Sequence, residues 1–277
     1  MGAGIIDKYA FPKNIPKNDY REMLGDRLHQ ITLNISKSPK IYLAVYDPPC
    51  PPKLTIIYSH ANAETLYFIN YYIQYIASTF KSQVIAFDWE GYGLSDGTSG
   101  EKQLLRGSDA VYDYVIANFQ PDPSKILFWG RSIGTVSSTY LAQMHPSSFG
   151  VILQSPLASA FHTVFKKVIC SSCDGLDSNQ RIKKVNIPVF IIHGIKDQIV
   201  DYNNAQILFQ SYIDVHDQQE GDIQKQDDWF TGVNFLKFGD CELYSIKNAG
   251  HNDIDSIFRR QMCFIVKRII SQSQEWE

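Results

Sequence analysis

The sequence predicts an α/β protein with a mostly parallel central sheet of about eight strands and helices on both faces. Three observations carry that prediction. From Leu54 onward, short and nearly continuous apolar runs alternate with helix-sized segments, the pattern of a parallel sheet covered on both sides. Only the first two runs lie close in sequence and alternate in polarity, as an antiparallel hairpin should. The third is Gly130-Arg131-Ser132-Ile133-Gly134, which joins an apolar run to a helical segment opening with small residues. That is the strand-to-helix setting in which a G-x-S-x-G turn exposes a serine at its apex.

The strands are expected, in order, at 30–35, 41–46, 54–59, 83–87, 125–129, 151–154, 189–193 and 242–246, each a β-branched or aromatic run. Helices are expected at 63–79, 101–118, 135–145, 203–212 and 253–270. In the last, Ile254, Ile257, Phe258, Met262, Ile265, Val266 and Ile269 follow helical spacing. Asp253 and Asp255 would occupy its first turn, with Lys267 and Arg268 near its end, as the helix dipole favours. Pro48, Pro49, Pro51 and Pro52 form a stiff turn after the second strand. Residues 214–240 are polar and largely acidic and read as a surface insertion, with a short ordered piece at 229–238. No internal repeat is present, and the chain reads as one domain over 1–277.

The chain has 277 residues, 44% apolar and 20% charged, with a net charge of −3, which suits a globular protein. The absence of a basic excess argues against a nucleic-acid partner. No apolar run approaches the roughly 18 residues of a membrane span, and no signal-peptide pattern opens the chain, so a cytoplasmic location is expected. Met1-Gly2-Ala3-Gly4-Ile5-Ile6 begins like a myristoylation site but lacks the usual Ser or Thr at position 6. The five cysteines are too scattered for a disulfide framework. Cys170 and Cys173 make a lone CxxC and are read as reduced thiols, so no metal or other cofactor is expected.

A serine hydroxyl becomes a useful nucleophile when a histidine takes its proton and a carboxylate holds the histidine's far nitrogen. In strand–turn–helix serine enzymes the acid and then the histidine follow the serine in sequence. Asp197 follows the 189–193 run through a glycine turn, and His251 follows the 242–246 run through Asn248-Ala249-Gly250. Both therefore fall where parallel strands end, the edge that also carries Ser132. Asp201 is the competing acid. The oxyanion hole is expected from the backbone N–H of Ile133 and, in the 59–63 loop, of Asn62, with Ala61 as its alternative. His60 is expected to brace that loop.

These stretches resemble the α/β-hydrolase superfamily and, within it, ABHD17-type and Bem46-like serine hydrolases. The matching segments are Ser-His-Ala-Asn-Ala at 59–63, Phe-Asp-Trp-Glu-Gly-Tyr-Gly-Leu-Ser-Asp-Gly at 87–97 and Gly-Arg-Ser-Ile-Gly-Thr-Val at 130–136. Leu-Gln-Ser-Pro-Leu at 153–157, His-Gly-Ile-Lys-Asp-Gln-Ile-Val-Asp at 193–201 and Gly-His-Asn-Asp-Ile at 250–254 complete them. The resemblance implies an α/β-hydrolase fold and a palmitoyl-protein thioesterase acting on acylated protein, with the triad on Ser132, Asp197 and His251. It also makes peripheral membrane association an open expectation. The cysteine cluster that anchors ABHD17-type proteins has no counterpart in residues 1–49, and Ala61 stands where glycine is commoner. Only about 30 residues, 157–188, are available for a lid, with Phe161, Val164 and Phe165 able to line an acyl groove or simply to pack. A carboxylesterase or lipase, a serine aminopeptidase-type peptidase and a quiet hydrolase-fold binding module are the alternatives, since one triad serves thioesters, esters and amides alike.

Overall fold

A computed structural model of the chain describes residues 10–11, 17–165, 175–216, 222–228 and 232–272. Its centre is one ten-stranded sheet. The strands are β1 (Leu28–Thr32), β2 (Lys40–Tyr46), β3 (Thr55–Ser59), β4 (Gln83–Asp88), β5 (Ile126–Arg131), β6 (Gly150–Gln154), β7 (Val189–Gly194), β8 (Gln224–Asp228), β9 (Val233–Phe238) and β10 (Cys241–Ile246). They lie in the order β1-β2-β4-β3-β5-β6-β7-β10-β9-β8. From β4 through β3, β5, β6 and β7 to β10 every pairing is parallel, while β1, β2, β8 and β9 add antiparallel margins.

The seven labelled helices are α1 (Leu66–Phe80), α2 (Glu101–Phe119), α3 (Gly134–Met144), α4 (Ala160–Phe165), α5 (Ser178–Ile182), α6 (Asn203–His216) and α7 (Arg259–Ser271). One face of the sheet packs against the apolar stripes of α1 and α7, among them Ile69, Ile73, Ile76, Ile265, Val266 and Ile269. The other face packs against α2, α3 and α6 through residues such as Leu104, Val111, Val136, Leu141, Leu208 and Phe209. Strands β3, β5, β6, β7 and β10 are buried along their whole length, which is why they read as unbroken apolar runs.

The sheet has ten strands where about eight were expected, and the two additions fall inside 214–240. β9 alternates in burial and pairs with β10 across a tight turn at Gly239, whose φ is +52°. Among the described residues β8, Gln-Lys-Gln-Asp-Asp, pairs only with β9, and a strand at the sheet margin needs no apolar face. This part of the expected insertion therefore continues the sheet. The last helix also begins later than expected, at Arg259 in place of Asp253. The Asp253 carboxylate accepts the Gly250 N–H at 2.9 Å, and its carbonyl accepts from Ser256 and Phe258, so 251–258 form turns ahead of the helix. Within 157–188, the segment expected to form a lid, α4 and α5 are described, with the Ala160 N–H bonded to the Gly175 carbonyl at 2.9 Å. Met1–Ile6, Cys170, Cys173 and the side chains of Val164 and Phe165 lie outside the described residues.

Candidate active site

Ser132 ends the β5 run and precedes α3, and it takes φ +53°. An L-residue adopts that conformation at a cost of about 1–2 kcal/mol. The surroundings hold it there. The Ser132 N–H donates to the Gln154 carbonyl at 2.8 Å, and its own carbonyl accepts from Thr135 N–H at 2.9 Å and Thr135 Oγ1 at 2.6 Å. The glycines on either side have steric reasons. A methyl group on Gly130 would lie 2.5 Å from the Gly134 carbonyl oxygen, and one on Gly134 would lie 2.1 Å from the Ser59 oxygen. Strand, turn and helix can therefore approach this closely only with glycine at both positions.

The loops after β7 and β10 bring the other two residues to the serine. His251 Nε2 lies 3.0 Å from Ser132 Oγ, and His251 Nδ1 lies 2.6 Å from Asp197 Oδ2. All three are buried. Asp197 Oδ1 accepts the Ile199 and Val200 N–H groups at 2.9 and 2.8 Å, while His193 Nε2 stands 3.2 Å from Oδ2. Burial pushes the Asp197 carboxyl up, but hydrogen bonds from His193 and His251, the His251 charge and the Val200 N–H outweigh it. Its pKa therefore lies well below the usual carboxylate range. Asp201, the competing acid, is exposed and accepts the Asn203 N–H at 2.9 Å where α6 begins.

Among the described residues, the backbone N–H groups of Ile133 and Asn62 have no hydrogen-bond partner. The Ala61 N–H, the alternative oxyanion donor, is committed to Glu64 Oε2 at 2.8 Å. The Asn62 side chain anchors its loop, donating to the Ala10 carbonyl at 2.7 Å and accepting from Tyr92 O–H at 2.6 Å. His60 lies deeper, stacked on Trp89 at 4.0 Å, with Nδ1 2.8 Å from the Ala61 carbonyl and Nε2 3.2 Å from Asp88 Oδ1. It is too enclosed to act as a base at the surface of the site.

One group of residues was not singled out from the sequence. The Arg131 guanidinium, 8% exposed, bonds Glu64 through Nη1 and Asn252 Oδ1 through Nη2 at 2.9 Å. Its Nε stands 3.0 Å from Asp255 Oδ2, in ion-pair contact. Glu64 is the residue that holds the Ala61 N–H, and Asn252 directly follows His251. Asp255 also accepts Tyr72 O–H at 2.6 Å and Gln154 Nε2 at 2.8 Å. Burial opposes the Arg131 charge, yet Glu64 and Asp255 hold the guanidinium pKa above its ordinary value. One side chain thus joins the loops carrying Asn62, Ser132 and His251. The available signal was a charged residue inside an otherwise buried motif.

Comparison with known proteins places this geometry. A family model described as Serine aminopeptidase, S33 (Hydrolase_4) matches residues 51–171. The Pyrococcus furiosus esterase Pf2001 superposes with a TM-score of 0.69 over 95% of this chain and 98% of its own, at 15% identity. The monoacylglycerol lipase of Paleococcus ferrophilus gives 0.56 over 83% and 98%, at 16% identity. The chain has the α/β-hydrolase fold. By sequence the chain is similar to ABHD17-type proteins. It is 34% identical to alpha/beta hydrolase domain-containing protein 17B of Xenopus laevis over 165 residues, covering 58% of this chain and 56% of that one. Against the 17C protein of Mus musculus the identity is 32%, over 58% and 51%. The match thus spans little more than half the length of these curated relatives.

Proposed function

We propose that this chain is a serine hydrolase that cleaves acyl thioesters on proteins, a palmitoyl-protein thioesterase. The observation that carries the reading is the Ser132–His251–Asp197 chain of contacts, 3.0 and 2.6 Å long, built on a serine held at φ +53°. Ser132 Oγ attacks the acyl carbonyl carbon as His251 Nε2 takes its proton. Asp197, held as a carboxylate by its own donors, orients the ring and stabilises the imidazolium. The carbonyl oxygen becomes an oxyanion facing the Ile133 and Asn62 N–H groups. Collapse expels the thiol sulfur, which receives the proton from His251. Water, deprotonated by the same histidine, then hydrolyses the acyl-serine and restores Ser132. No cofactor takes part in these steps.

Support for the thioester comes from the ABHD17-type sequence and from the short segment 157–188, which has little room for a deep lid over an acyl group on a bulky carrier. The matched family model is described as an aminopeptidase and the superposed structures are an esterase and a lipase, so esters and aminoacyl amides are the competing substrates. A cytoplasmic protein, peripheral at membranes, is the setting this reading fits. A fluorophosphonate should label the wild-type chain and not Ser132→Ala, whose turnover should fall by on the order of 10³ or more with folding intact. Hydrolysis of matched acyl thioesters, esters and aminoacyl amides then ranks the substrates. Preference for the amide, or labelling that survives Ser132→Ala, would overturn the proposal.

A further inference from the structure

Helices α1 and α7 lie side by side on one face of the sheet; Tyr72 meets Asp255 in the turns ahead of α7, and the Tyr75 hydroxyl approaches Cys263 sulfur at 2.8 Å. Their compositions differ sharply. Leu66–Phe80 contains no charged residue, whereas Arg259–Ser271 contains Arg259, Arg260, Lys267 and Arg268 and no acid. The inward stripes of both helices are buried, so what remains turns outward. Tyr67 is 38% exposed, Phe68 50%, Tyr71 77%, Ile257 74% and Phe264 51%. These are five of the eleven exposed large apolar side chains among the described residues, gathered on α1 and around the start of α7. Tyr71 stands one turn above Tyr75, which lines a groove of about 590 Å³ with Ile257, Arg259, Arg260, Phe264 and Lys267. The Arg259 guanidinium lies 5.0 Å over the Tyr75 ring, and among the described residues no carboxylate lines the groove.

We propose that the α1–α7 face seats the protein on an anionic lipid surface. Contiguous exposed apolar side chains are uncommon on a monomer unless something covers them. The cations select the charge of the cover, and they are local, because the whole chain carries −3. Tyrosine and arginine place an apolar body toward acyl chains and a polar end at the headgroups. Exposed aromatics beside basic residues on a tangential helix are the composition of an interfacial seat. An acidic protein segment would satisfy the cations but leave Tyr67, Phe68 and Tyr71 on the outer turns of α1 without a partner.

The placement gives the surface a consequence. Helix α1 follows the loop that carries Asn62, and α7 follows the turns that begin at His251, so this face adjoins the rim of the candidate site. A lipid surface there would present a membrane-held acyl group beside Ser132. That consequence rests on the thioesterase reading, whereas the binding does not.

The test is flotation of the full chain with vesicles of phosphatidylcholine alone or with roughly 30 mol % phosphatidylserine. The wild type should partition at least about tenfold better onto the anionic vesicles, with the gain falling as salt rises. Replacing Arg259, Arg260 and Lys267 by Gln together should lower that partition by on the order of 10²-fold, while Phe68→Ser with Tyr71→Ser should lower binding several-fold without changing its salt dependence. Melting curves and turnover of a small ester report that each variant is folded. Equal partition of wild type and the triple variant overturns the proposal. So does wild-type binding to polyglutamate with none to anionic vesicles, which would assign the face to an acidic protein. Vesicle binding by a chain that hydrolyses no thioester would leave the surface standing and remove the proposed reaction.

Discussion

Strand β5 at the middle of the sheet and strand β8 at its margin obey opposite rules. All six residues of β5 are buried, and the turn that follows leaves no room for a methyl group at Gly130 or Gly134. β8 is Gln-Lys-Gln-Asp-Asp, and no described residue lies within 4 Å of where a methyl group would stand at Gly232 or Gly239, the glycines flanking its partner β9. In the middle, each residue is constrained from both faces and both neighbouring strands, so composition and position are tightly coupled. At the margin, backbone pairing alone suffices, and side chains are free to be polar. The site is built where constraint is greatest, because catalytic groups must be held within a fraction of an ångström.

The strongest way to break this contrast is to insert one methyl group at each place. Gly134→Ala forces a carbon to within 2.1 Å of the Ser59 oxygen and 2.5 Å of the His60 oxygen. It should cost at least about 3 kcal/mol in denaturant unfolding and abolish activity. Gly239→Ala meets only its positive φ and should cost about 1–2 kcal/mol, with small-ester turnover kept. Equal costs would show that the margin is as constrained as the middle.

Next in size is the acid. Asp197→Asn should lower kcat by on the order of 10³–10⁴, and Asp201→Asn by less than about twofold. Because the folded pKa of Asp197 lies below its unfolded value near 3.9, its contribution to stability is full above about pH 5. That contribution is lost as pH falls toward the folded value. The difference in unfolding free energy between wild type and Asp197→Asn should therefore be flat at neutral pH and change only below about pH 5. A change centred near neutrality would point to a different group.

Arg131 sharpens the comparison inside the site. Arg131→Met should lower kcat by on the order of 10²-fold with KM little changed, since it loosens three loops without touching substrate. Arg131→Lys should not restore it, because a point charge cannot span Glu64, Asn252 and Asp255 at once. A matched loss in KM would mean that Arg131 contacts substrate directly. The smallest effect belongs to the margin. Excising 217–228 removes β8 and should spare small-ester turnover to within about twofold, while lowering the melting temperature by only a few degrees. Loss of ester turnover in a folded variant would tie the margin to the placement of His251.

These contrasts also explain what was readable. Ser132, Asp197 and His251 each sit a few residues beyond a buried strand, so a linear reading could bring them to one edge, and the structure places them within hydrogen-bond reach. That the Ala61 N–H is committed to Glu64 could not be read from the sequence, which left both Asn62 and Ala61 open as oxyanion donors. Arg131 was hidden because its partners Glu64 and Asn252 lie 67 and 121 positions away. The start of α7 was misplaced because helical spacing extends back to Ile254, while the bonds of Asp253 hold that stretch in turns.

The sequence alone determined the local facts: a parallel core, a strained serine between two glycines, and an acid and a histidine following later strands. Burial on both faces and the steric demands of a tight turn write themselves into consecutive residues. Tertiary structure alone decided the order of the ten strands, the pairing of β8 with β9, the guanidinium that ties three loops, and the union of an uncharged helix with a basic one. Those depend on which distant segments become neighbours, and neighbours chosen by packing leave no periodic trace along the chain.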